Sequence, residues 1–186
     1  MSIIGSTIDG VLRMAAGYGV RCDRPVVLRD RANLLVHLAP APVVARVPGL
    51  VTAIRTDARR YLAVDVELAG YLHVAGAPVV APSAELPPGP HPIERGVGAS
   101  SIWCSFWTYQ PHDRDAVHSP DALRATLADV HRALAEYPGE LAEHGPLVDL
   151  RLGLQRLSWT DDERDVITGK IASAEKSLAE LPAKPL

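Results

Sequence analysis

The sequence predicts an α+β fold, in which a strand-rich first half is followed by a helical second half. Short runs of Val and Leu, joined by connections of a few residues, fill the stretch from residue 25 to residue 47. After Tyr109, apolar side chains recur instead at the three- and four-residue spacing of helices. The 186 residues, 47% of them hydrophobic and 22% charged, are enough to bury a core.

Charge and composition exclude several classes of partner. The formal net charge of −3 is unlike the basic surface that binds a phosphate backbone, so we expect no nucleic-acid partner. No apolar run reaches the roughly 18 residues of a membrane helix, and Asp9 and Arg13 interrupt the N-terminal stretch. We therefore expect no membrane partner and no signal peptide. Cys22 and Cys104 lack metal-ligand spacing, which favours a reduced, cytoplasmic chain, with one disulfide as the alternative.

The first predicted elements are a short helix and three strands. Residues 7–18 carry apolar side chains on one helical face. The Val- and Leu-rich runs at 25–29, 33–38 and 42–47 are typical of strands. Their connections are too short for the crossover that parallel strands need, so they predict an antiparallel three-stranded meander.

A main helix is predicted next. Asp57 is a suitable N-cap, and Gly76 followed by Pro78 ends the helix. Its apolar stripe consists of Leu62, Val66, Ala69 and Leu72. The apolar runs 77–81 and 101–107 then predict two more strands, which brings the sheet to five. The Pro- and Gly-rich segment 82–92 between them is expected to be a surface loop, with 91–95 as a candidate for a short strand.

The second half predicts a polar loop over 110–120 and then helices. Ser119 and Pro120 are an N-cap and a first-turn proline for a helix to about residue 136. Its expected buried stripe consists of Leu123, Leu127, Val130 and Leu134. A further helix is predicted over 147–157, and Thr160 with Glu163 forms a capping box for a last one. The apolar stripe of that last helix consists of Ile167, Ile171, Ala174, Leu178 and Leu181.

Four segments, in this order, resemble the aminoglycoside phosphotransferase and choline kinase-like family. They are LRDRANLLVHLAPAPVVARV (28–47), LAVDVELAGYLHVAGAPVVAP (62–82), SIWCSFWTYQP (101–111) and LRATLADVHRALAEYPG (123–139). The resemblance implies a protein-kinase-like small lobe, an antiparallel five-stranded sheet plus one main helix, followed by a hinge and the first helices of the helical lobe. It places the lobe with its nucleotide-binding elements at 1–108, and the hinge with the start of the helical lobe at 109–186. It also implies ATP as the cofactor, Mg²⁺ for the complete enzyme, and a small-molecule alcohol as phosphoryl acceptor.

Two charged residues match the ion pair that orients the nucleotide phosphates in this family. Arg46, in the run VVARV, matches the basic residue of the third strand, and a planar guanidinium suits phosphate oxygens. A surface arginine on an edge strand is the alternative. Asp65 matches the acid of the main helix that pairs with this cation. Glu67, about 200° further round the helix, is expected to face solvent and is the fallback partner.

The resemblance implies two further parts of a nucleotide site. The turn 29–33 corresponds to the loop that covers the nucleotide, so Arg31 and Asn33 are candidates for contact with it; a solvated turn arginine is the alternative for Arg31. The connector 106–109 corresponds to the hinge, where backbone groups of Trp107, Thr108 and Tyr109 would bind the adenine edge. His112, Asp113, Asp115 and His118 lie in the polar loop without standard zinc spacing, so a metal cluster there is only the alternative to a solvated loop.

The catalytic segment of the family begins His-Gly-Asp, and this sequence contains no such motif. The resemblance therefore implies the amino-terminal part of an ATP-dependent small-molecule phosphotransferase, inactive on its own, with no catalytic or metal-binding residue to assign. A non-catalytic kinase-like binding or interaction module is the alternative function, and an unrelated α+β domain is the third. An exposed apolar stripe on the last helix would favour a homo-oligomer or a missing C-terminal half as partner.

Overall fold

The computed structural model describes residues 3–49, 54–55, 57–94, 102–113, 115–139 and 146–180. Over these residues the chain is α+β, with a five-stranded antiparallel sheet and five helices, which confirms the predicted class and the strand number. The chain divides into two compact units. The first unit comprises Met1–Leu50 and Asp57–Tyr137, and the second comprises Val51–Thr56 and Pro138–Leu186.

The sheet lies in the first unit. Its strands are β1 (Cys22–Asp30), β2 (Asn33–Pro40), β3 (Val43–Pro48), β4 (His91–Ile93) and β5 (Ile102–Thr108). They pair in the order β1-β2-β3-β5-β4, each with an antiparallel neighbour. The first three form the predicted meander. Arg46 on β3 stands opposite Leu35 of β2 and Ser105 of β5, so it lies in the middle strand of the sheet and not at an edge.

The two faces of the sheet have different roles. Alternate residues of β3 point to opposite faces: Val43, Ala45 and Val47 belong to the buried core, whereas Val44 and Arg46 line a cavity. Helix α1 (Ile3–Gly17) covers the core face with its fully buried Val11 and Ala15. Most of the buried apolar side chains of the sheet therefore lie on one face, and the other face is open to form a cavity.

The fifth strand is not the predicted one. Residues 77–81 do not form a strand; they run beside β5, where the Thr108 amide donates to Ala81 O (3.0 Å), and Pro82 makes an isolated bridge to Trp107. Pro78 and Pro82 have no N–H to donate, which interrupts any continuous ladder in this stretch. The remaining place in the sheet is taken by β4, within the candidate short strand 91–95; residue 95 lies outside the described residues.

The predicted surface loop 82–92 is also wrong in part. Ser83 and Leu86 are buried, and Leu86 belongs to the core cluster. The segment is held against β5 because Ser83 N–H donates to Phe106 O (3.0 Å) and Phe106 N–H donates to Pro88 O (2.8 Å). The prolines of this segment prevent regular strand pairing. Its backbone nevertheless forms hydrogen bonds with the backbone groups of β5 that no strand pairs.

Helix α2 (Ala58–Val74) is the predicted main helix. The Asp57 carboxylate caps it by accepting from the Arg60 amide (3.0 Å), and Gly76 follows it with a positive φ of 78°. Only Leu62 and Leu72 of the predicted stripe are fully buried. Arg59 places its guanidinium 5.7 Å from the ring centroid of Trp103 on β5, which adds a cation–π contact between helix and sheet.

Helix α3 (Pro120–Ala135) begins as predicted, because the Ser119 hydroxyl accepts from the Ala122 amide (3.1 Å). The expected burial of its stripe is wrong. Leu123 and Leu127 are 51% and 56% exposed, and Val130 and Leu134 are half-buried. Periodicity identifies the face that a helix would bury, but whether that face has a partner depends on the rest of the fold.

In the second unit, α4 (Pro146–Arg156) and α5 (Asp161–Ala179) form a helical pair. The predicted capping box is present at Thr160 and Glu163. Of the predicted α5 stripe, Ile171 is buried, Leu178 is 56% exposed, and Leu181 lies outside the described residues. Arg55 donates to both carboxylate oxygens of Asp149 (2.7 and 2.5 Å), a fork geometry that ties the unit's first segment to α4. None of the helices described has both the length and the apolarity needed to cross a bilayer.

Candidate functional site

A cavity of about 420 Å³ lies on the sheet face opposite the core, entirely within the first unit. Residues of β1, β2, β3 and β5 line it together with the segments around Val80 and after β5. The lining residues are Leu28, Leu35, Val44, Arg46, Val80, Trp107, Thr108, Tyr109, Gln110 and His112. Most of these side chains are apolar, and Arg46 is the permanently charged one among them.

Arg46 and Asp65 form an ion pair, as the family resemblance implies. The Arg46 Nη1 atom lies 2.7 Å from Asp65 Oδ2, so a strand residue and a helix residue are joined beside the cavity. The two side chains are 29% and 42% exposed, which places the pair at the protein surface rather than in the core. Glu67, the fallback partner, is exposed and instead accepts a hydrogen bond from the Tyr137 hydroxyl (2.9 Å).

Asn33 joins this pair. It is the first residue of β2, on the same sheet face as Leu35, and its Oδ1 accepts from Arg46 Nε at 3.4 Å, a long hydrogen bond. The guanidinium is therefore held on two sides, by a neutral amide and by a carboxylate. Three predicted site residues, Asn33, Arg46 and Asp65, form one connected group.

Arg31 does not join that group. It lies in the tight connection between β1 and β2, where its backbone N–H donates to Asn33 O (3.3 Å) and its side chain is exposed. It is not among the described residues that line the cavity. Asn33 is therefore connected to the cavity through its hydrogen bond with Arg46, whereas Arg31 lies in an exposed turn.

The predicted hinge residues lie at the cavity, but the amides of Thr108 and Tyr109 are already engaged. Thr108 N–H donates to Ala81 O (3.0 Å), and its hydroxyl donates to Pro82 O (3.2 Å). Tyr109 N–H donates to Pro42 O (2.8 Å). Trp107, which also lines the cavity, donates from its indole Nε1 to Ser105 Oγ (2.8 Å). The Thr108 and Tyr109 amides can reach a bound base only if these bonds break.

Tyr109 has a fixed orientation. Its ring stacks on His37 of β2, with centroids 3.7 Å apart and planes 5° from parallel. His37 is itself held because its Nε2 donates to Ala41 O (3.1 Å). The stack fixes a flat aromatic wall at the cavity, which suits a planar ligand.

Sequence reasoning gave Gln110 no role and considered His112 only as part of a metal cluster, yet both line the cavity. Gln110 directly follows the engaged Tyr109 amide, and His112 Nδ1 donates to Gln110 O (3.0 Å). The signal that marks Gln110 is the end of β5 at Thr108, because the first residues after a strand are released from the ladder. The apolar lining residues carry no chemical signature, so only the fold reveals them.

The two cysteines lie apart from the cavity lining, and both are free. Cys104 is a core residue of β5, and burial raises the pKa of its thiol to about 12. Such a thiol stays protonated and is a poor nucleophile or metal ligand. Among the described residues no group of three or more His, Cys, Asp or Glu side chains could hold a metal ion.

In comparisons with known proteins, no family model matches the chain and no curated protein matches it.

Proposed function

We propose that the first unit is a nucleotide-binding lobe that takes ATP in this cavity, as in the small lobe of an ATP-dependent small-molecule phosphotransferase. The observation that carries the proposal is the Arg46–Asp65 ion pair, which joins the middle strand of the sheet to the main helix beside an open cavity. A fixed cation next to a cleft is what binding of a polyphosphate requires.

The division of the cavity into apolar and charged parts supports the same ligand class. The stacked Tyr109 ring and the aliphatic side chains of Leu28, Leu35 and Val44 provide an apolar surface for a base. Arg46 uses Nε for Asn33 and Nη1 for Asp65, which leaves guanidinium donors for phosphate oxygens. In this proposal Gln110, rather than the engaged amides of Thr108 and Tyr109, meets the polar edge of the base.

The proposal is for binding and not for turnover by these residues alone. The sequence has no His-Gly-Asp segment to position an acceptor hydroxyl. The described residues also offer no cluster of acids for Mg²⁺, so no ligand of that ion is assigned to this chain. The magnesium and the small-molecule alcohol belong to the complete enzyme that the resemblance implies.

Calorimetric titration with ATP tests the proposal. We expect saturable binding that weakens about tenfold or more in Arg46→Ala, because a charge-assisted hydrogen bond is lost and Asp65 is left facing the phosphates. Arg46→Lys, which keeps the charge without the fork, should fall between the two. Arg124→Ala, which removes an exposed arginine of α3, is the matched control and should bind as the wild type does. Absence of any heat at millimolar ATP, with the protein folded, would sink the proposal.

A second function is favoured by one observation, the mostly apolar lining of the cavity. Because Asp65 already compensates the charge of Arg46, the site also suits an uncharged apolar ligand, as expected of a non-catalytic binding module. Trp107 lines the cavity, so quenching of tryptophan fluorescence by an apolar probe in the wild type, but not in Trp107→Phe, reports such binding. Quenching that ATP does not compete with would favour this second function over the first.

A further inference from the structure

Helix α2 is held from two opposite sides. Asp65 contacts the sheet through Arg46, and at about 100° per residue Glu67 and Tyr71 fall about 200° and 240° further round the helix. Glu67 and Tyr71 both contact Tyr137, which follows α3. Leu62 and Leu72 are the buried residues of α2, and these side-chain contacts add to their packing and to the Arg59–Trp103 contact in placing the helix.

Tyr137 makes two separate contacts with the outer face of α2. Its hydroxyl donates to Glu67 Oε1 at 2.9 Å, and its ring meets Tyr71 edge-on, with centroids 5.0 Å apart and planes 67° from parallel. Its backbone is fixed because its N–H donates to Leu134 O (3.0 Å). The hydrogen bond to Glu67 raises the pKa of the Tyr137 phenol, so the phenol stays a donor across the physiological range.

The ion pair on the other face depends on where α2 lies. Aspartate reaches one methylene less far than glutamate, so the Arg46 guanidinium must follow any shift of α2 to keep its 2.7 Å contact with Asp65 Oδ2. A shift of the helix by about 1 Å would take this contact beyond normal hydrogen-bond length unless the guanidinium moved with it. A residue that fixes the outer face of α2 therefore also fixes the pair.

We propose that Tyr137 is a positioning residue, whose hydroxyl and ring hold α2 from the face opposite Asp65 and so keep the Asp65 carboxylate against Arg46. The effect on ATP rests on the function proposed above. The effect on the ion pair does not, because it concerns contacts present in the chain without any ligand.

The first test is a spectroscopic one that needs no nucleotide. Arg46 Nε donates to Asn33, so its ¹H–¹⁵N resonance reports the geometry of the guanidinium, and Arg46→Lys assigns that resonance by its disappearance. We expect the resonance to move in Tyr137→Phe and further in Tyr137→Ala. Glu67→Gln keeps an acceptor for the phenol and should shift it less than Glu67→Ala. Tyr18→Phe, the same change on an exposed tyrosine after α1, is the matched control and should leave it in place.

The second test is the affinity for ATP. Loss of the Tyr137 hydroxyl should weaken binding about two- to fivefold, which corresponds to a single solvent-exposed hydrogen bond acting through the ion pair. Tyr18→Phe should not change it. An unmoved Arg46 resonance in folded Tyr137→Ala overturns the inference. If the wild-type chain binds no ATP, the proposed function fails, and the resonance of Arg46 still decides whether Tyr137 positions the pair.

Discussion

Arg46 illustrates how one strand position becomes part of a site. Its neighbours Ala45 and Val47 point into the core, and the pleat turns Arg46 to the other face, where Asn33 and Asp65 meet it. The pair is partly exposed, so water screens it and its contribution to stability is small. The ion pair instead fixes the orientation of the Arg46 guanidinium, so that a ligand in the cavity can bind to it.

Substitution of Asp65 should therefore cost little stability. We expect Asp65→Asn to lower the free energy of unfolding by about 0.2–1 kcal/mol, because an exposed ion pair is lost while the residue keeps its shape. Urea denaturation measures this difference. Asp129→Asn, which removes a more exposed i,i+3 pair with Arg132 outside the first turn of α3, is the control and should change less. A loss above about 2 kcal/mol would mean that the pair is far less hydrated than its exposure indicates.

The buried thiol of Cys104 gives a second prediction for a single residue. With its pKa raised to about 12 by burial, the fraction of thiolate at pH 8 is about one in ten thousand. In the variant Cys22→Ala, which leaves this thiol alone, we expect reaction with an aromatic disulfide reagent to be slower by orders of magnitude in buffer than in urea. Rapid labelling of the folded variant would show that the β5 core opens readily.

At the scale of elements, the sequence predicts the helices and strands that are marked by residues within or next to the element itself. Val- and Leu-rich runs with short links predicted β1 to β3, and capping residues such as Asp57, Ser119 and Thr160 marked where helices begin. The prediction of a strand at 77–81 is wrong, although the run has the composition of a strand. Pairing with β5 depends on which backbone segment can donate N–H groups to it. That is a property of the assembled sheet, and three residues at His91–Ile93 satisfy it.

The exposed helix α3 should depend strongly on its N-cap. No residue of α3 is buried, so little tertiary packing supports it and local capping matters more. We expect Ser119→Ala to destabilise the helix by about 1 kcal/mol, seen as about fivefold faster amide exchange in α3. Ser177→Ala in α5 should leave the exchange of α3 unchanged. Unaltered exchange in Ser119→Ala would contradict the role of the cap.

The capping box of α5 should make its stability depend on pH. Thr160 donates from both its backbone N–H (2.9 Å) and its hydroxyl (2.8 Å) to Glu163 Oε2, and these bonds lower the pKa of Glu163. A lowered pKa in the folded state means that the stabilisation is complete above the ordinary glutamate pKa of about 4.3 and is lost as the pH falls through the folded value. The difference in melting temperature between wild type and Glu163→Ala should therefore be largest near neutral pH and shrink below about pH 4. A difference that grows on acidification would contradict the assigned bonds.

At the scale of the whole molecule, burial is distributed unevenly. The core cluster, to which α1, β2 to β5 and the connecting residues Val20 and Leu86 contribute, lies entirely in the first unit, and the cavity uses the opposite face of the same sheet. The resemblance to a known family, rather than composition or spacing, placed Arg46, Asp65, Asn33 and the end of β5 near one another, and the structure joins the first three by hydrogen bonds. The sequence did not identify Leu28, Leu35 or Val44 as cavity residues, because aliphatic residues that line a cavity have the same sequence pattern as those of a core.

Uneven burial predicts an order of opening across the chain. Amides of β2 and β3 lie between paired strands beside buried Val36, Leu38 and Ala45, so they should exchange only when the first unit unfolds as a whole. Amides of α3, which buries no residue, and of α5, which buries only Ile171 among its described residues, should exchange through local opening with much lower free energies. Native-state hydrogen exchange, followed residue by residue over increasing urea, measures the opening free energy of each amide. The opening free energies of β2 and β3 amides should fall with urea along the global unfolding curve. Those of α3 and α5 amides should hardly change at low urea. Exchange of α5 along the same curve as the sheet would show that the two units unfold together, and the distribution of buried side chains would then be a poor guide to the cooperativity of this chain.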